Sequence, residues 1–145
     1  MRSNEAKLKR LLGEKLSCMV SFGEKKKDYQ YISVDFTYVG KDDILYLIEV
    51  ESDNKAKIDV GEYVLINLLY DKPNKNNGSH KILGDRKIEE CCFLTVVCHK
   101  SNTPERVTKV LNAVQKHFSL KLKHQAIKLS DIIDVNSFEA LLQEN

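Results

Sequence analysis

At 145 residues the chain has room for one domain with a sizeable core, and 42% hydrophobic and 30% charged residues are ordinary values for a globular protein. No apolar run approaches the roughly 18–20 residues that span a bilayer, and the charged, periodic start MRSNEAKLKRLLGEKL reads as a helix rather than a signal peptide. Membrane spans are therefore excluded, a cytoplasmic setting is expected, and a net charge of +2 neither demands nor excludes a polyanionic partner.

The four cysteines point the same way. Cys91, Cys92 and Cys98 share one apolar run, Cys18 lies among apolar neighbours, and no CxxC pair exists. Reduced core thiols are expected, not a zinc or redox site. His80, His99, His117 and His124 show no HxxxH or HExxH spacing and read as satisfied or surface groups.

In chain order, residues 5–19 read as an amphipathic helix with Leu8, Leu11, Leu12 and Leu16 at helical spacing, capped by Ser3 or Asn4 and closed by Gly23 and the Lys25–Lys27 run. Two strands follow, 29–39 and 44–52, joined by a tight GKDD turn at 40–43. Their even positions (Ile32, Val34, Phe36, Tyr38, then Ile44, Tyr46, Ile48, Val50) are apolar and form one buried face. Residues 55–70 read as a helix apolar nearly all round, hence buried on several sides. Segment 71–87, rich in Asn, Gly and Lys, reads as a long and mobile surface loop.

The continuous apolar run 91–98 suits a central strand covered on both faces. Thr103, Pro104 and Glu105 open a helix as cap, first-turn proline and first-turn acid, and Val107, Val110, Leu111, Val114 and Phe118 follow at helical spacing. Residues 124–129 read as a strand, and SFEALLQ after Asn136 as a short helix. The order α-β-β-α-β-α-β-α gives an α/β fold in which one mixed sheet, built from a hairpin and two crossovers, is flanked by helices.

The chemistry lies on the odd positions of the hairpin. Pairing Val39 with Leu45 sets Asp35 opposite Glu49 and Ser33 opposite Glu51, and a one-residue slip would mix the apolar and polar faces. Glu49 and Glu51 are two apart and point the same way. Acids set side by side destabilise a sheet unless a counter-charge joins them. Mg²⁺, with its preference for carboxylate oxygens and retained waters, would supply that charge and suit phosphodiester hydrolysis. Glu5 lies on the stripe of Leu8, Leu12 and Leu16, so it is either a further ligand or a simple first-turn acid. Solvent-facing acids near a strand end are the alternative for Glu49 and Glu51.

These residues resemble the PD-(D/E)xK superfamily of restriction-endonuclease-like phosphodiesterases. The resemblance covers nearly the whole chain and rests on SVDF around Asp35, LIEVE at 47–51 and the following KAKIDVGEY. It implies a single restriction-endonuclease-like domain over 1–145 that hydrolyses DNA with Mg²⁺, Mn²⁺ substituting. The implied setting is defence, restriction or repair, with Asp35 and Glu49 as metal ligands and Glu5 matching an acid often found in the first helix. RNA stays open as the polymer, and homodimers are common among members.

Two positions depart from the pattern. Val34 stands where proline is usual, and Glu51 where lysine is usual. Some restriction enzymes of the superfamily carry glutamate there, as general base or extra metal contact. Alternatively Lys55 or Lys57 supplies the positive charge, or the site has decayed to a nucleic-acid- or protein-binding module of the same fold. Lys55, with Lys72, Lys75 and Lys81 of the 71–87 segment, is the expected phosphate-backbone contact. Glu62, after Gly61, falls about where the superfamily often has glutamine.

Overall fold

A computed structural model of the chain describes residues 3–17, 19–24 and 30–143. The expectations for Cys18, for the Lys25–Lys27 run and for Tyr29 as the start of a strand fall outside the described residues. The elements are α1 (Ser3–Leu12), β1 (Ser21–Gly23), β2 (Tyr31–Ser33), β3 (Phe36–Val39), β4 (Leu45–Glu51), α2 (Ala56–Leu69), α3 (Ser79–Leu83), β5 (Cys91–Val97), α4 (Pro104–Phe118), β6 (Lys123–Lys128) and α5 (Val135–Gln143).

One four-stranded sheet, β3-β4-β5-β6, organises them. β3 and β4 are antiparallel, while β4, β5 and β6 run parallel. The connections through α2 and α4 step across the sheet in the same direction, so crossovers of one hand set both helices on one face. There Tyr63 and Ile66 of α2 and Val107 and Leu111 of α4 join Leu45, Leu47, Cys91, Phe93 and Val97. On the opposite face Leu8 and Leu12 of α1 and Phe138 and Leu142 of α5 cover Phe36, Tyr38, Tyr46, Ile48, Cys92, Leu94 and Val96. Covered on both sides, β5 is buried at every residue. Cys91 and Cys92 are free, buried thiols within it. Among the described residues no helix is long and apolar enough to cross a membrane.

The hairpin adopts the expected register, Val39 with Leu45 through Phe36 with Ile48. Its turn is fastened by Asp42, whose carboxylate accepts the Ile44 N–H (3.0 Å) and the Tyr46 hydroxyl (3.0 Å), and by Asp43 in the left-handed region at φ 65°.

Four expectations need correction. The first helix does not run over 5–19: it ends at Leu12, where Gly13 takes φ +58°, and a single 3₁₀ turn follows. The strand expected over 29–39 breaks between Val34 and Asp35. Val34 N–H bonds to Val20 O (2.9 Å), whereas Asp35 N–H bonds to Ile48 O (3.0 Å). Tyr31–Ser33 pairs with the unexpected β1, so Ser33 lies opposite Ser21 and not Glu51. The break also carries Val34 to the α2/α4 core, away from the face that Phe36 and Tyr38 share. Finally, segment 71–87 is not a bare loop. Lys72 O and Asn74 N–H bond to Gly23 and Ser21, Ser79 Oγ accepts the Ser21 N–H (2.9 Å), and α3 buries Ser79 and Leu83.

Because the Gly40–Ile44 turn sets the register, a side chain at Gly40 should loosen it. A Cβ there would sit 2.6 Å from Asp42 Oδ1 and 2.8 Å from the Tyr46 ring. Gly40→Ala should lower unfolding free energy by about 1–3 kcal/mol, the usual range for overpacking. Urea denaturation with an unchanged m-value checks this; wild-type stability would mean that the turn does not fix the register.

Candidate functional site

β4 ends in Glu49-Val50-Glu51, and α2 begins after four intervening residues at Ala56. In a sheet with parallel strands, the carboxyl end of a strand opens into a crevice beside the helix that follows it. Here that crevice is a cleft of about 680 Å³ lined by Glu5, Asp35, Glu49, Val50, Glu51, Ser52, Asp53, Ile58, Glu62 and His99.

Each acid is held by an element that the core fixes elsewhere. Asp35 sits at the break before β3, and its Oδ2 accepts the Val50 N–H (2.8 Å), in place of a backbone carbonyl where the ladder stops. Alternation along β4 turns Glu49 and Glu51 toward the α2 side. Glu51 Oε1 accepts the Asp53 N–H (2.7 Å), which pins it against the turn into α2. α1 brings Glu5 in from the opposite layer, and the Asn4 amide donates to Ser52 Oγ (2.9 Å), tying the start of α1 to the rim. On α2, Ala56, Asp59, Tyr63, Ile66 and Leu69 are buried at helical spacing, so Asp59 is on the core stripe and Glu62 is one turn further on.

The result is a continuous acidic cluster. Asp35 lies within side-chain hydrogen-bonding reach of both Glu49 and Glu5, and Glu49 of Glu62. Glu51, Asp59 and Glu62 each present an oxygen within 4.8 Å of the others. Among the described residues no lysine or arginine pairs with any of the six. Glu49 Oε1, both Asp59 oxygens and Glu62 Oε2 are buried with no donor among the described residues. Where two of these carboxyls touch, a hydrogen bond forms only if a proton lies between them.

Burial is the first cause of raised pKa at Asp35, Glu49, Asp59 and Glu62. Contact with Glu62 adds to it at Glu49, and contact with Glu51 at Asp59, which is pushed up to about 8. Glu62 rises to about 7.

This donor set suits a hard divalent cation. It offers only carboxylate oxygens, several of them desolvated and unpartnered, and no thiolate or imidazole cage. Glu51, Asp59 and Glu62 lie close enough together to share one ion, and beside them Asp35 reaches both Glu49 and Glu5.

Of the residues singled out from sequence, the fold therefore brings Glu5, Asp35, Glu49 and Glu51 together. Lys55 and Lys57 are exposed and do not line the cleft; Lys72, Lys75 and Lys81 are exposed around α3. Three lining or cluster residues went unassigned. Asp59 carries a legible signal, an acid on the apolar stripe of its helix. Glu62 is marked in the sequence only by its place on that helix. His99 reads from sequence as a satisfied or surface group. It follows β5 into the cleft and accepts the Ser101 N–H at Nδ1 (3.0 Å), which leaves Nε2 to carry the proton. Among the described residues it is the only basic side chain in the lining.

No protein-family model matches the chain, and no curated protein or solved structure matches it.

The raised carboxyls set a pH dependence. Asp59 and Glu62 have ordinary values of 3.8 and 4.5 and folded values of about 8 and 7. The folded state therefore holds more protons than the unfolded state between these limits. Without divalent cations, the stability that these two groups contribute should be fullest below about 4 and be lost as pH rises through about 7 and 8. Thermal melts in EDTA from pH 4 to pH 9 check this. A site that binds cations should also show millimolar Mg²⁺ or Mn²⁺ raising Tm more at pH 8 than at pH 5; equal shifts would mean that these carboxyls do not bind the ion.

Proposed function

We propose that the chain is a divalent-cation-dependent nuclease with a restriction-endonuclease-like core, and that it hydrolyses phosphodiester bonds of DNA at the end of β4. One observation carries the reading: Asp35 from the hairpin and Glu49 from β4 meet in an open cleft that Glu5 of α1 also enters. The mixed sheet, with its antiparallel hairpin followed by two parallel crossovers, supports the same reading.

Mg²⁺, with Mn²⁺ as substitute, is the proposed cofactor, held by Asp35, Glu49 and Glu5. Bound there, such a cation lowers the pKa of water, polarises a phosphoryl group and offsets developing charge. The chain's own residues do the rest. Asp35 is oriented by the Val50 amide and cannot swing out of the cleft without breaking that bond. Glu51 is pinned by Asp53 N–H and is placed as a further ligand or as the acceptor of a proton from the attacking water. His99, with Nε2–H available, is the cleft residue able to donate to a phosphate oxygen or a leaving group. Lys55, Lys72, Lys75 and Lys81 are exposed and free to contact a phosphate backbone, with DNA as the proposed polymer.

The competing reading is a non-catalytic member of the same fold that binds nucleic acid or protein. It is favoured by the lining itself, which has Glu51 in place of lysine and, among the described residues, no lysine.

Plasmid nicking with Mg²⁺ or Mn²⁺ separates the two. Asp35→Asn keeps the side-chain volume and removes a ligand charge, so cleavage should drop by a factor of about 10²–10⁴ or more while the melt stays cooperative. Glu51→Gln should also abolish cleavage, and Glu51→Lys should retain some by restoring a positive charge. Wild-type protein that cleaves neither DNA nor RNA with either ion would establish the non-catalytic reading.

A further inference from the structure

We propose that Glu51, Asp59 and Glu62 form a second divalent-cation position, next to the one assigned to Asp35 and Glu49, with Glu62 as the carboxylate shared between them. The first position rests on the proposed function; the second stands on its own geometry.

Acidic clusters are common on protein surfaces, but this one is interior. Asp59 is 0% exposed and Glu51 is 7% exposed. Asp59 presents an oxygen to Glu51 and Glu62, and neither of its oxygens meets a donor among the described residues. A fully buried carboxylate without a donor is among the more unfavourable arrangements in a folded protein. The helix could have avoided it with any apolar residue at that point of the Ala56–Tyr63–Ile66 stripe.

The dimensions fit one ion. Oxygens around Mg²⁺, Mn²⁺ or Ca²⁺ lie about 2.0–2.6 Å from the metal, so two ligand atoms are no further apart than about 4–5 Å. One oxygen each of Glu51, Asp59 and Glu62 meets that limit, all lying within 4.8 Å of one another. Asp59 and Glu62 project from the same side of α2 one turn apart, and Glu51 faces them from the last residue of β4. With Oε1 engaged by Asp53, Glu51 has Oε2 left for the ion.

Glu62 makes the connection to the first position. It also contacts Glu49, which contacts Asp35. Two cations bridged by one carboxylate would neutralise the cluster from both ends, an arrangement suited to in-line displacement at phosphate, where one ion serves the attacking oxygen and the other the leaving oxygen.

Mn²⁺ is the probe. Calorimetric titration of the full chain at neutral pH should give two equivalents, and the electron paramagnetic resonance spectrum should show two spin-coupled ions. Asp59→Asn should reduce the stoichiometry to one and leave an isolated six-line Mn²⁺ spectrum; Asp35→Asn should also bind one, at the second position. Glu51→Gln serves in place of Asp59→Asn should the latter not fold, with metal-free melts as the control for folding. Two equivalents with a coupled spectrum in Asp59→Asn would overturn the proposal. So would a single wild-type equivalent lost in Asp35→Asn but kept in Asp59→Asn, an outcome that leaves the proposed function standing. A single equivalent with the reverse pattern would support the second position and overturn the first. No binding at all would overturn both.

Discussion

Six carboxyl groups share the end of one strand, and they cannot all be ionised without a counter-charge. Two full charges about 4 Å apart repel by about 4 kcal/mol at the effective dielectric of a protein near its surface. A few such pairs rival the whole net stability of a small domain, about 5–15 kcal/mol. The cluster must therefore hold protons or cations. Burial, with the neighbouring carboxyls, raises the Asp35, Glu49, Asp59 and Glu62 groups, which is the proton answer. The proposed divalent ion would be the other answer, and at neutral pH it would compete directly with those protons.

The rest of the architecture keeps the acids from escaping one another. Asp35 is locked to Val50, Glu51 to Asp53, and Asp59 by the buried stripe of α2, whose Tyr63 hydroxyl donates to the Leu122 carbonyl beneath α4. Glu5 arrives from the opposite layer because α1 packs Leu8 and Leu12 on the other face of the sheet. Buried Asn102 closes the far rim, donating to Asp53 O (3.4 Å) and accepting the Thr103 N–H. Fixing like charges this rigidly lowers stability when no counter-charge is present and would preorganise a ligand set for the proposed cation, the familiar opposition between stability and function.

Much of this was legible in the sequence, because the signals were periodic. The alternation of Phe36, Tyr38, Tyr46, Ile48 and Val50 fixed a register that admits one partner for Asp35, and the continuous run 91–98 marked a strand covered on both faces. Local exceptions to periodicity were not legible. Three-residue β1 carries no period, and the break at Val34–Asp35 depends on a backbone bond to Val20 that no nearby residue signals. Helix α3 and the tethers of 71–87 are made by Asn and Ser side chains whose composition reads as loop. At the site, the strand acids were visible because two-residue alternation places them, while Asp59 was hidden by the apolar richness of its own helix. His99 depends wholly on where β5 ends.

The chemistry follows from that placement. A strand end supplies Glu49 and Glu51, a hairpin supplies Asp35, and two helices supply Glu5, Asp59 and Glu62, so four separately packed elements converge on one patch of negative charge. The most direct test is diffraction from crystals soaked in Mn²⁺, recorded where manganese scatters anomalously. Strong anomalous peaks within coordination distance of Asp35 and Glu49, and of Glu51, Asp59 and Glu62, are the expected result. A cleft that stays without anomalous density at millimolar Mn²⁺ and neutral pH, its carboxyls closed on one another, would contradict it.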